Sequence, residues 1–199
     1  MCHAARVVVD FYLGVTAMQK ADWTVRPVSV PGESHVAGLY DAPYLADAYA
    51  IVLPDDAIAD PELLARFLFS NQPSWVAKLM SVRDALVVRF GIKTAKQLRG
   101  SLVPGGGERV SIFKIYERRP HEIILGEDDK HLDFRVSVLR QIRTEPVGPR
   151  PYLILSTVVH CHNRLGRAYI RLIAPFHRLV VESSLRRAAR LGWPTVSTR

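Results

Sequence analysis

Gly126–Glu127–Asp128–Asp129–Lys130–His131–Leu132–Asp133–Phe134–Arg135–Val136 reads as an acidic hairpin turn, Gly126–Lys130, running into a strand. From His131 to Leu139 the side chains alternate. His131, Asp133, Arg135 and Ser137 share one face; Leu132, Phe134, Val136 and Val138 share the other. A period of two is that of a β-strand with one apolar face. Alternation next to a short turn argues for an antiparallel sheet, since parallel strands are buried on both faces and read as continuous apolar runs. On this reading Ser137→Ala costs under about 1 kcal/mol, while Phe134→Ala costs about 3 kcal/mol or more.

Upstream, His121–Leu125 is the partner of that strand and Val110–Tyr116 the strand before it. Residues 99–108 form a connector. Its Gly105–Gly106–Gly107 is no phosphate loop, because no Gly-Lys-Ser/Thr follows and Glu108 repels phosphate. Further back, Asp47–Leu53 is a first strand ending at Pro54. Asp60 is an N-cap with Pro61 at the first helical position, opening a helix with Leu63, Leu64, Phe67 and Leu68 on one side. Asn71–Gln72–Pro73 stops it. A second helix carries Trp75, Leu79, Val82, Leu86 and Phe90 at helical spacing, with Gly91 as its cap.

Downstream, Arg143–Pro151 reads as a loop because it holds Pro146, Gly148, Pro149 and Pro151. Tyr152–His162 is a long strand, and after the turn Asn163–Gly166 a last helix runs to Leu191. Pro175 interrupts its hydrogen bonding and bends it. Leu172, Phe176, Leu179, Val180 and Ser183 are its sheet-facing side, with Arg178, Glu182 and Arg186 outside. One strand, two short helices, several antiparallel strands and one long C-terminal helix make an α+β, helix-grip arrangement: a curved antiparallel sheet wrapped on the last helix.

The chain has 199 residues, 48% of them hydrophobic and 23% charged, which suits one folded domain. We assign it to residues 25–192, with a loose N-terminal arm at 1–24 and a tail at 193–199. The net charge is +8, and from Arg140 onward eleven arginines face only Glu145 and Glu182. Such an excess suits an anion or nucleic-acid surface, yet no nucleic-acid motif accompanies it, so a solvated helix face is the plainer reading. Cys2 and Cys161 form neither a zinc-spaced set nor a CxxC, in keeping with a reducing cytoplasm. No apolar run approaches the ~20 residues of a membrane span.

Asp47–Ala48–Tyr49, Leu125–Gly126–Glu127–Asp128–Asp129–Lys130–His131–Leu132–Asp133–Phe134–Arg135, Gly166–Arg167–Ala168–Tyr169 and Pro175–Phe176–His177–Arg178 together resemble a bacterial family called domain of unknown function 2867. The resemblance spans about residues 40–190. That family is in turn similar to the START and birch-pollen-allergen (SRPBCC) superfamily, which implies an apolar ligand bound in a cavity under the long helix. It also implies a functional link to short-chain reductases. The chain carries no dinucleotide fingerprint, and no cofactor is expected.

The expected site lies beneath the last helix. Its floor comes from His131, Asp133, Phe134, Arg135, His160 and His162; its lid comes from Tyr169, Leu172, Phe176 and His177. Asp133 and Arg135 serve either as a register-fixing polar ladder or as a clamp on a polar ligand group. His160 and His162 share a strand face, a spacing that permits metal ligation with a carboxylate, but exposed strand histidines are the simpler reading and no metal is assigned. Tyr169 and His177 can orient a ligand or move a proton. The expected function is binding of a small apolar or amphipathic molecule. The alternatives are a cyclase- or dehydratase-type enzyme using polar cavity groups, or an anion- or nucleic-acid-binding module using the C-terminal arginines.

Overall fold

In a computed structural model, residues 23–87, 108–146 and 148–196 are described. Their elements are β1 (Arg26–Val28), β2 (Leu45–Val52), α1 (Pro61–Ser70), α2 (Ser74–Val87), β3 (Arg109–Val110), β4 (Phe113–Arg118), β5 (Glu122–Asp128), β6 (Leu132–Glu145), β7 (Gly148–Cys161) and α3 (Arg164–Leu191). The strands form one antiparallel sheet in the order β1-β2-β7-β6-β5-β4-β3. The fold is therefore α+β, an open seven-stranded sheet with a long C-terminal helix. Among the described residues no helix is long and apolar enough to cross a membrane.

Local chemistry explains most element ends. The Asp60 side chain accepts from the amides of Glu62 and Leu63, and Pro61 needs no donor there. The Asn163 side chain caps α3 through the amide of Gly166. The stretch read as Val110–Tyr116 is instead two strands, because Ser111 takes a left-handed φ of 56° and turns the chain. β5 runs on to Asp128, so the turn is confined to 129–131.

The region read as a loop at Arg143–Pro151 is a hairpin. β6 and β7 stay paired to Glu145↔Gly148, and Gly148 adopts a φ of 119°. The prolines do no harm to the ladder. The Pro151 carbonyl accepts from the Leu53 amide, so the backbone edge of Pro151 faces the β2 side rather than β6. The β2 ladder ends at Val52↔Tyr152, and Pro149 presents the same edge two residues on.

One sheet face packs on the helices. Tyr49, Ile51, Ile123, Leu125, Val136, Val138, Leu153 and Leu155 meet Leu64 and Leu68 of α1 and Val181, Leu185 and Ala188 of α3. The other face, the polar side of the β6 alternation, is also covered: Val36, Ile124 and Val158 pack with Val30, Tyr40 and Tyr116. There Glu122 is buried, and its carboxyl group accepts from Ser34 Oγ at 2.6 Å, Ser137 Oγ at 2.5 Å and the His35 amide at 3.1 Å. Ser137 is thus fully buried on the far face rather than exposed. The segment read as a tail packs too. Trp193 is buried in the main core, Ile58 donates to the Pro194 carbonyl, and Val196 donates to that of Asp56. The end of the second helix, Gly91, residues 99–107 of the connector and all but residues 23–24 of the arm lie outside the described residues.

Candidate functional site

β2 places Leu45, Asp47, Tyr49 and Ile51 toward the helices, opposite Val159, Thr157, Leu155 and Leu153 of β7. Asp47 is the charged member of that row. His177 of α3 comes down on it, with Nε2 3.4 Å from Oδ1; the side chains are 14% (Asp47) and 24% (His177) exposed. Both carboxylate oxygens and the imidazole Nε2 are buried without a well-formed hydrogen bond, and Ser184 Oγ on the same helix is in the same state. Buried polar atoms in folded proteins nearly always have partners, because leaving one unpaired costs about 1–3 kcal/mol. Tyr49 lies two residues along the same row, and its phenol is pushed above its ordinary value by burial first and by the Asp47 charge second.

The helix is loosest above this pair. Gly166 and Ile170 are buried, and the next buried residue is Val181; Ile173, Ala174 and His177 between them are only half-buried. Pro175 sits in this stretch. Its ring clashes with the preceding turn and it cannot donate to the carbonyl of Arg171. Apolar clusters bound the pair on both sides. Val181, Leu185, Leu155 and Val136 belong to one; Ile170, Val159 and Leu132 form the other, with Leu45, Tyr169 and Ile173 against it. Phe134 packs against both clusters and so joins them.

The expected site residues separate onto different surfaces. Phe134 and Tyr169 pack against the second cluster, and His177 meets Asp47. Leu172 and Phe176, read as sheet-facing, point to solvent at 60% and 47% exposure. The sheet-facing side of α3 is instead Gly166, Ile170, His177, Val181, Ser184, Leu185 and Ala188. Three of these are small, and at Gly166 the helix comes so close that an added Cβ would meet the His131 carbonyl oxygen.

Asp133, Arg135, His160 and His162 lie on the opposite face of the sheet from α3, so they form no floor beneath it. Arg135 stacks over the Tyr116 ring at 3.6 Å and bonds Asp128 at 2.7 Å. Burial alone would raise the Asp128 carboxyl, but hydrogen bonds from Arg135 and Tyr116 outweigh it and hold the group below its ordinary value. His162 Nε2 lies 3.0 Å from Asp133, while His160 stacks on Tyr40 and meets His162 edge-on. His131 sits at the hairpin end, with Nδ1 3.0 Å from Asn163 Nδ2. Beside Tyr40 a far-face cavity of about 80 Å³ is lined by Val30, Val36, Pro43, Ala46 and Val158. That is well below the 300–1,000 Å³ of ordinary ligand pockets. Among the described residues no three His, Cys, Asp or Glu side chains are grouped to hold a metal ion.

Asp47 is the residue that the sequence reading left out of the site. A signal for it exists: alternation along β2 puts one carboxylate in an otherwise apolar row of a central strand. An acid and an imidazole in contact under an apolar lid can hold a ligand's polar group or pass a proton. No curated protein and no solved structure matches the chain. A family model does match, over residues 39–184, which takes in β2, α1, the long hairpin and most of α3 with Asp47 and His177. The chain therefore belongs to the family described as "Protein of unknown function (DUF2867)".

Proposed function

We propose that the domain binds a small amphipathic molecule between the sheet and the middle of α3. A donor-bearing head, such as a hydroxyl or amine, meets Asp47 and His177, and an apolar body lies along Phe134, Leu45, Tyr169 and Ile173. One observation carries this reading: Asp47 and His177 keep buried, unbonded polar atoms under the stretch of α3 where nothing is fully buried. A ligand donor supplies the bond those atoms lack, and the energy of unpaired burial becomes binding selectivity for a group that can donate. A sheet wrapped on a long helix with its site beneath that helix is also the helix-grip arrangement of the SRPBCC superfamily, which we extend to this domain on the same grounds.

The Asp47–His177 contact also favours a second reading. The pair is a general acid–base set, with Tyr49 as a further proton-bearing group, and would serve a cyclase or dehydratase acting on the same molecule.

Native mass spectrometry of protein purified from its own host tests the first reading. A bound adduct of lipid or terpenoid size is expected on wild-type protein, diminished by His177→Ala and Asp47→Leu while the fold persists. Equal adduct on wild type and both variants, or no binding of any apolar probe by folded protein, sinks the proposal. Chemical change of the adduct on wild-type protein, absent in Asp47→Asn, would select the enzyme.

A further inference from the structure

The side of α3 turned away from the sheet is apolar where a solvent-facing helix is ordinarily polar. Leu172, Phe176 and Leu179 are 60%, 47% and 57% exposed. At about 100° per residue they fall in a sector of roughly 60°. Over residues 164–181 the same helix carries Arg164, Arg167, Arg171 and Arg178, all exposed, and no acidic residue. None of these four has an ion pair among the described residues; the first acid reached, Glu182, is already 2.8 Å from Arg186.

We propose that this face seats the domain on an anionic lipid surface. The apolar side chains enter the boundary between headgroups and acyl chains, and the guanidinium groups beside them meet lipid phosphates. The observations weigh against a second copy as occupant. Two such faces would set arginines against arginines. Three large apolar side chains also fall far short of the about 20–30 residues and 800 Å² per partner of a stable interface. A bilayer requires no matching shape and offers the charge the helix lacks. This proposal does not rest on the ligand reading above, since no residue of the stripe belongs to that site.

The full chain should float with phosphatidylcholine vesicles carrying about a third phosphatidylserine and stay behind with pure phosphatidylcholine. Phe176→Asn and Leu172→Asn should each weaken flotation about tenfold. Arg171→Gln with Arg178→Gln should abolish it at physiological salt but not at low salt. All these side chains are exposed, so thermal melting should match wild type and separate lost docking from lost fold. Three outcomes overturn the proposal. The first is no flotation with anionic vesicles at low salt. The second is flotation unchanged by Phe176→Asn, which would mean charge attraction alone. The third is a dimer by sedimentation equilibrium that Phe176→Asn dissolves, which would give the face to a second copy.

Discussion

Ser137 shows how far one residue's cost depends on what lies over it. On alternation alone it is a solvent-side serine; in the fold it is one of the donors around the buried Glu122 carboxyl group. Removing a buried donor costs about 1–3 kcal/mol, so Ser137→Ala should fall in that range by urea denaturation. Phe134→Ala should still cost about 3 kcal/mol, since it opens a hole between two clusters and loses the edge-on contact with Phe113 at 5.9 Å. If Ser137→Ala is nearly silent, water replaces the donor and the far-face network is looser than its geometry. Cys161 offers a second measurement. Burial pushes its thiol above its ordinary value, with Arg167 opposing. The sign follows from linkage: the thiol favours the fold below the unfolded value near 9.0, and that part of stability fades as pH rises toward the folded value. In a Cys2→Ser background, labelling by a thiol reagent at pH about 8 should track global unfolding; fast labelling of native protein would contradict it.

Two positions in α3 test how the helix meets the sheet. Gly166 is three residues past the N-cap, where alanine ordinarily strengthens a helix by about 1 kcal/mol. Here a Cβ would collide with the His131 carbonyl oxygen, which itself accepts from the His162 amide at 3.0 Å. Backbone cannot yield as a side-chain tip can, so Gly166→Ala should destabilise by about 1–3 kcal/mol; a gain in melting temperature would show that the helix end is free to lift. Pro175→Ala has the opposite expected sign. It restores a donor for the Arg171 carbonyl and should raise thermal stability by a few degrees. By settling the helix onto Asp47 it should also lower the affinity for an apolar probe, read by dye fluorescence. Higher stability with unchanged probe binding would place the opening elsewhere.

Across the whole molecule, β7 is the mechanical centre. It is paired on both sides, with β2 from Tyr152 to Val159 and with β6 along its full length, and nearly all of Pro151–Cys161 is buried. Its amides from Leu153 to Val159 should exchange with solvent most slowly, while β1 and β3, each paired on one side, should exchange first. Protection spread evenly over the sheet would mean the edges are held by something beyond their ladders.

The sequence by itself determined the local items, because each depends on neighbours in the chain. Asp60 and Pro61 mark a helix start, Phe134 and Val136 mark an apolar strand face, and the order of elements yields an α+β fold with a long last helix. Only the tertiary structure decided what required two distant segments to meet. It ran β7 through Pro149 and Pro151 because the missing donors face an edge where the β2 ladder has ended. It covered the polar side of β6 with residues 30–40 and so buried Ser137. It set the side of α3 that carries Gly166, Ile170, Val181, Leu185 and Ala188 on the sheet, with Gly166 too close to the His131 carbonyl oxygen to admit a Cβ. That choice of phase brings His177 onto Asp47 and leaves the apolar stripe outside. No periodicity reports it, because both sides of the helix repeat at the same spacing.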